Sequence, residues 1–237
     1  AARRLGRAAV RRSLLRAHEL RGQILESQGD YVQAGAEYAA LLALAREAGD
    51  TAAVARAIRC SGWLHGYRQE QWDLGLREAR RAYEVAVAAG DATEKAAALR
   101  DIGAYESMRG AHDAALEALR AALGYARECG DVAEEANILQ YIAIGLLFLS
   151  QDDRALEVFQ QALAIRERLG DRRMAAKIRS NIGLLQINRG EFACAEQSLR
   201  QAESGFREAG ALPALPLTWI GLATVLKVLL GAFATGV

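Results

Sequence analysis

The sequence predicts an all-α fold, a right-handed α-solenoid of tandem helix-turn-helix repeats. Composition is the first observation behind this prediction, because alanine, leucine, arginine and glutamate dominate and only 2 of the 237 residues are prolines. The second is a column of very small residues that recurs every 40 or 41 residues, and the third is a Gly-Asp pair that recurs at the same interval. A fixed period of this length with paired helices is typical of a solenoid, in which each repeat packs against its neighbours.

The column of small residues lies within the first helix of each predicted pair. Glycine in a helix interior costs about 0.5–1 kcal/mol relative to alanine, so its recurrence there needs a compensating reason. We expect that reason to be packing, because a missing side chain lets the two helices of a pair approach closely. The column consists of Gly22, Gly62, Gly103, Ala143, Gly183 and Ala223.

The Gly-Asp pairs predict where each repeat ends. Glycine can take the left-handed conformation that ends a helix, and aspartate then caps the next one. The pairs begin at Gly49, Gly90, Gly130 and Gly170. We therefore predict a single domain over 1–237, in which each full repeat is two helices joined by a tight turn. The predicted repeats span about 11–49, 50–90, 91–130, 131–170 and 171–210, followed by a partial repeat at 211–237.

This arrangement resembles the tetratricopeptide repeat (TPR) family over nearly the whole chain. The family's L-G-x-x-Y and A-x-x-x-F pattern is matched by Ile182-Gly183 with Ala195 and Leu199, and by Ile102-Gly103 with Ala115 and Leu119. The period exceeds the family's usual length of about 34 residues, and a Gly-Asp pair replaces the closing proline. Both departures resemble the longer variety found in kinesin light chains and in many bacterial signalling proteins. The resemblance implies binding of a protein or peptide.

The motifs of catalysis and metal binding are absent from the sequence. His18, His65 and His112 do not pair at the spacing of metal ligands, and there is no phosphate-binding loop, dinucleotide fingerprint or nucleophile elbow. The three cysteines are far apart, which favours reduced thiols in a cytoplasmic protein. The formal charge of +1 gives no general attraction to nucleic acid or membranes. We therefore expect a non-catalytic cytoplasmic protein without a cofactor or bound metal.

One face of each first helix is expected to line the concave side of the solenoid. Counted from the small residue, positions −6, −3, +1, +4 and +5 share this face. Positions −6 and −3 are mostly cationic or carry an amide, which suits binding of a ligand's carboxylate group. Positions +1 to +5 include aromatic and apolar residues, which suit a bulky apolar side chain of the ligand. The candidate ligand-binding residues are Arg56, Arg59, Trp63, Tyr67, Arg100, Met108, Asn137, Gln140, Phe148 and Lys177.

We therefore predict a protein- or peptide-binding module, the sensor or scaffold part of a larger regulatory protein, that grips an acidic and apolar segment in its groove. Two other functions remain open. One is a sensor of small anions that uses Arg56, Arg59, Arg100 and Trp63, and the other is a scaffold that self-associates. A structural alternative also remains for the candidate residues, because the arginines can be solvated and Phe148 can pack between helices.

Both ends of the sequence are distinctive. Residues 3–21 hold seven arginines and one glutamate, which favours a solvated helix over an anionic partner such as nucleic acid. The apolar tail is interpreted as a truncated sixth repeat, with a turn before Ala232-Phe233-Ala234, and not as a membrane span, because Leu222-Ala223 continues the column and Lys227 would be costly in a bilayer. Its apolar face would be covered by a missing helix or by a second copy in a homo-oligomer.

Overall fold

The computed structural model describes the backbone of residues 2–68 and 70–235, and most side chains between 9 and 227. Within these residues the chain is helical and contains no strand, which confirms the all-α prediction. The chain divides into two compact units, Ala1–Asp131 and Val132–Val237, whose border lies one residue after a predicted repeat boundary. The prediction of a single domain over 1–237 stays a prediction.

The first unit consists of three helix pairs. Within it, α1 packs on α2, α3 on α4 and α5 on α6, and consecutive pairs also touch. The helices are α1 (Ala2–Ser27), α2 (Tyr31–Ala48), α3 (Thr51–Trp63), α4 (Trp72–Ala89), α5 (Ala92–Met108) and α6 (His112–Glu128).

The second unit consists of two helix pairs and one further helix. Here α7 packs on α8 and α9 on α10, while α11 lies against α10 and α9. The helices are α7 (Val132–Phe148), α8 (Asp152–Arg168), α9 (Arg172–Asn188), α10 (Phe192–Glu208) and α11 (Leu215–Thr235), with a short 3₁₀ turn at Leu212–Ala214.

The Gly-Asp pairs end and begin helices as predicted. Gly49 and Gly90 have φ values of 66° and 69°, in the left-handed region that glycine tolerates best. The backbone N–H of each donates to carbonyls of the helix that it ends. Asp50 and Asp91 then accept a hydrogen bond at 3.0 Å from the backbone N–H three residues later, which caps the next helix.

The small-residue column brings the paired helices into close contact. A Cβ added at Gly103 would lie 2.5 Å from Cγ of Leu119, and one added at Gly183 would lie 2.6 Å from Cγ of Leu199. These distances are far shorter than van der Waals contact, so a side chain at either glycine would force the helices apart. The packing explanation for the helical glycines is therefore confirmed at these positions.

In the first unit, the second repeat departs from regular α-helix. A π-helical turn at Leu64–Arg68 follows α3 directly. Gly62 and Gly103 are separated by 41 residues, and a π turn is the usual way to accommodate one extra residue in a helix. The ring of Tyr105 occupies the space at this turn, since a Cβ on Gly66 would lie 2.4 Å from its Cε1.

The apolar tail forms one continuous helix, so the expected turn before Ala232 is wrong. Helix α11 runs through Gly231 to Thr235, although Gly110 and Gly190 end helices at the equivalent places of earlier repeats. Its inner face is packed, with Val225 buried against Leu199. None of the described helices combines the length and the hydropathy that a membrane crossing requires.

Candidate functional site

The three predicted cations of the first unit meet two buried carboxylates that the sequence analysis did not select. The Arg59 guanidinium donates from Nε to Oδ2 of Asp101 at 2.7 Å and from Nη1 to Oε2 of Glu94 at 3.1 Å. Arg100 donates from Nη2 to Oδ1 of Asp101 at 2.6 Å. Arg59 is only 13% exposed, so it is an internal ion-pair residue with little surface left for a ligand.

Asp101 holds this cluster together from the middle of α5. Its side chain is 1% exposed. Burial alone would raise the pKa of its carboxyl group, but the charges of Arg100 and Arg59 and their hydrogen bonds outweigh burial and hold the pKa below its usual value. The carboxylate is therefore ionised and satisfied by two arginines from two neighbouring first helices.

Arg56 is the most open of the three arginines. It donates from Nε and Nη2 to Oε1 of Glu94 at 2.9 and 2.7 Å, and its Nη1 lies 3.8 Å from Oε2 of Glu19. Glu19 also pairs with Arg16. With 38% of its side chain exposed, Arg56 is the cation of this cluster that retains the most surface for an external anion.

The apolar candidates of the first unit are divided between packing and exposure. The Trp63 ring lies 5.9 Å from the ring of Tyr105, tilted by 46°, a geometry typical of packed aromatic pairs. Met108, at the end of α5, is half exposed. The side chain of Tyr67 lies outside the described residues. Of the described apolar candidates in this unit, Trp63 therefore takes part in packing near the π turn, and Met108 is the one that is exposed at the surface.

In the second unit the amide candidates of α7 are engaged within the fold. Asn137 donates to Oε2 of Glu134 at 2.9 Å and accepts from Arg166. Gln140 is only 4% exposed. Phe148, in contrast, is exposed at the end of α7. Ligand contact by these α7 residues stays a prediction, and Phe148 is the most exposed of them.

A cavity of about 390 Å³ lies on the predicted ligand-facing side of α9 and contains Lys177. Residues three or four apart on α9 share this face. Helix α10 and the segment before α11 close the cavity from the other side. The lining residues are Arg173, Met174, Lys177, Ser180, Asn181 and Leu184 of α9, with Phe206, Ala211 and Ala214.

The charges in this cavity differ from those of the first unit. Burial, and then the nearby charge of Arg173, lower the pKa of the Lys177 ammonium below its usual value. Within the part of the chain that the structure describes, neither Lys177 nor Arg173 forms an ion pair with a carboxylate. The α9 cavity therefore combines a mainly apolar lining with two partly solvent-exposed cations that pair with no carboxylate of the described chain.

A second cavity of the same unit, of about 530 Å³, has no such excess charge. It lies between α8, α9 and α10, and each of its arginines has an acidic partner. Arg172 pairs with Glu208 at 3.2 Å, and Arg179 pairs with Glu167. This matched set of charges offers a ligand little that the fold does not already supply.

The histidines and acidic groups assemble no metal centre among the residues described. His18 contacts Oε2 of Glu37 at 2.7 Å and His65 contacts Oε2 of Glu78 at 2.9 Å. Each contact joins a first helix, or the turn that follows it, to the second helix of the same pair. These two histidines therefore link paired helices.

The sequence analysis did not include Glu94 and Asp101 in the ligand-facing surface, because the five positions that define this face cover too narrow a part of the helix. They lie nine and two residues before Gly103, at spacings of three, four and seven from the chosen α5 positions. The same helical arithmetic places them on that face. The cavity at α9 had no comparable signal, since Phe206 and the segment before α11 are brought there by tertiary packing.

Solved structures of distant sequence share this architecture. BtubC (BKLC) from P. vanneervenii has a TM-score of 0.68 at 18% identity, covering 88% of this chain and 87% of that chain. A Rap protein complexed with Competence and Sporulation Factor has a TM-score of 0.66 at 14% identity, covering 92% and 76%. A putative kinesin light chain from Podosopora anserina, with nearly identical TPR-like repeats, has a TM-score of 0.57 at 11% identity, covering 82% and 96%.

No family model matches the sequence, and no curated protein matches it. At identities of 11–18% the structural similarity establishes the fold alone. The resemblance drawn from the column of small residues is thereby confirmed at the level of architecture: the chain has the fold of the TPR-like repeat proteins.

Proposed function

We propose that this chain is a non-catalytic module of a cytoplasmic regulatory protein that binds another protein or peptide. We propose further that α9 recognises a segment combining acidic and apolar side chains. A Rap protein of the same fold is found complexed with Competence and Sporulation Factor, which supports a binding role. One fold serves many partners, so the chemistry of the segment is argued from this chain's own site.

The α9 cavity carries this proposal. Lys177 and Arg173 present positive charge that no carboxylate of the described chain compensates, and the lining between them and Phe206 is largely apolar. A carboxylate of a partner would supply the missing counter-charge, and a neighbouring leucine or phenylalanine would fill the apolar space. The buried arginines of the first unit play a structural part in this proposal, since Asp101 and Glu94 already neutralise them.

Selection of peptides from a phage-displayed random library on the full chain tests this function. We expect enriched peptides to contain aspartate or glutamate beside leucine, isoleucine or phenylalanine. Lys177→Gln and Arg173→Gln should each weaken a selected peptide by about tenfold, because each removes a charge-assisted hydrogen bond. Added salt should weaken binding to the wild-type chain more than binding to either variant.

Lys227→Gln is the matched control for this experiment, because Lys227 is an exposed lysine of the same unit outside the cavity. It should leave the affinity unchanged. If the selected peptides bind Lys177→Gln and Lys227→Gln equally well, α9 is not the recognition site. Selection of basic peptides would contradict the proposed chemistry of the partner.

A second candidate function is self-association through the outer face of α11. Ile220 and Leu226 are 62% and 46% exposed there, and Trp219 is 48% exposed while its Nε1 donates to Oε1 of Glu203 on α10 at 2.7 Å. Positions 219 and 226 fall on one side of the helix, since seven residues make about two turns, and position 220 lies about 100° around it. Large apolar side chains clustered in this way favour association, and we propose a second copy of this chain as the partner.

Sedimentation or light scattering over a range of concentrations tests this association. We expect a dimer that Ile220→Glu or Leu226→Glu converts to monomer, because a charge at the contact must be desolvated. Val32→Glu is the control, since Val32 is 86% exposed and no other large apolar side chain described on α2 is exposed. A monomer at every concentration would reject this candidate.

A further inference from the structure

We propose that the α9 cavity binds free aliphatic carboxylic acids of medium chain length. The carboxylate would lie between Lys177 and Arg173, and the alkyl chain would run toward Leu184 and Phe206. This goes beyond peptide recognition, because the ligand needs no peptide backbone. It concerns the same cavity as the proposed function, but its test measures the acid directly and stays valid if no peptide binds.

The two cations define the polar end of the ligand. Lys177 and Arg173 are four residues apart on α9, so their side chains emerge one above the other on the same face. Neither cation is paired with a carboxylate of the described chain, and burial and then the like charge of Arg173 lower the pKa of Lys177. A bound carboxylate would relieve the repulsion and accept hydrogen bonds from both groups.

The other walls define the apolar end. Met174, Leu184 and Phe206 line the cavity together with two alanines. Phe206 is buried and belongs to the core cluster between α9, α10 and α11, so it forms a fixed wall. Leu184 is partly exposed and contacts the position of Gly221 on α11. A volume of about 390 Å³ is within the usual range of small-ligand pockets.

The charged residues of the lining lie at one end of the cavity. This favours a ligand with a single carboxylate and an unbranched or lightly branched alkyl tail. Among the described residues that line the cavity, Arg173 and Lys177 are the titratable ones. Ser180 and Asn181 offer hydrogen bonds on α9, but polar groups of a ligand body that faced Met174, Leu184 and Phe206 would stay unsatisfied, which carries a desolvation penalty. An alkyl body has no such cost, and each buried methylene should strengthen binding by about fourfold.

Isothermal titration of the full chain with butyrate, hexanoate and octanoate tests this inference. We expect one site, with affinity rising by about fifteenfold for each pair of methylenes until the cavity is full. Octan-1-ol, which keeps the chain but lacks the charge, should bind at least about tenfold more weakly than octanoate. Lys177→Met should reduce octanoate affinity by a similar factor, because methionine keeps much of the lysine stem and removes its charge.

Two further variants separate the site from non-specific adsorption. Lys227→Met removes an exposed lysine of the same unit and should leave octanoate binding unchanged. Leu184→Asn should flatten the dependence on chain length while leaving butyrate almost unaffected. Circular dichroism establishes that each variant is folded. The inference is overturned if octanoate does not bind, if octan-1-ol binds equally well, or if Lys177→Met and Lys227→Met behave alike.

Discussion

Replacing Asp101 with asparagine is expected to lower the free energy of unfolding by about 3–5 kcal/mol, the usual cost of removing one partner from a buried ion pair. The substitution keeps the shape of the side chain but removes the charge that Arg59 and Arg100 share at Asp101, and Glu94 remains as the partner of Arg59. Both guanidinium groups are largely buried, so water cannot replace the lost carboxylate. Chemical denaturation followed by circular dichroism measures the effect.

The same carboxylate should give stability a characteristic dependence on pH. Its pKa in the folded chain lies below the usual value, whereas the unfolded chain should titrate near about 3.9. A depressed folded pKa contributes stability that is fully present above the unfolded pKa and is lost as pH falls through the folded pKa. The difference between wild type and Asp101→Asn should therefore be constant near neutrality and shrink below about pH 4.

Asp113→Asn is the matched control for this prediction. Asp113 is exposed in the first turn of α6, where its charge contributes at most about 1 kcal/mol through the helix dipole. If Asp101→Asn destabilises the chain no more than Asp113→Asn does, the buried cluster is not a structural element. A difference between wild type and Asp101→Asn that is the same at pH 7 and in strong acid would contradict the role assigned to the ionised form.

The cluster around Asp101 shows what a sequence pattern on single helices can and cannot predict about a ligand site. The sequence places Arg59 and Arg100 on the ligand-facing side of their helices, and the structure confirms that the two side chains converge. Their purpose depends on Glu94 and Asp101, which lie on the same face and neutralise them. Cations that share a helix face are therefore evidence for a ligand site only if they outnumber the acidic residues of that face, which can pair with them.

The repeat architecture was easier to predict than the site, because the residues that specify it recur at a fixed interval in the sequence. Gly103 and Gly183 recur at a fixed interval, and each performs the same packing task against a leucine of the paired helix. The α9 cavity has no periodic signature, since Phe206 and the 3₁₀ segment enter it from other parts of the chain. The periodic pattern also fails in α11, where Gly231 continues the period of Gly190 but lies inside one helix.

Gly103→Leu is expected to destabilise the chain at or above the upper end of the usual overpacking cost of about 1–3 kcal/mol. Even the first atom of the new side chain would lie 2.5 Å from Cγ of Leu119 and 3.0 Å from the backbone oxygen of Ala115. Leu119 is fully buried and the oxygen belongs to a helix backbone, so neither can yield without separating α5 from α6. The loss should appear as a lower melting temperature and a lower denaturant midpoint.

An alanine scan of two glycines in the same helix pair isolates the packing effect from helix propensity. Gly103→Ala should destabilise, because the clash of its Cβ exceeds the roughly 0.5–1 kcal/mol that alanine gains over glycine in a helix. Gly124→Ala on α6 should stabilise by that same gain, since nothing lies within 4 Å of the added Cβ. Opposite signs at Gly103 and Gly124 are the signature of close helix contact. Equal stabilisation at both positions would mean that α5 and α6 do not meet at Gly103.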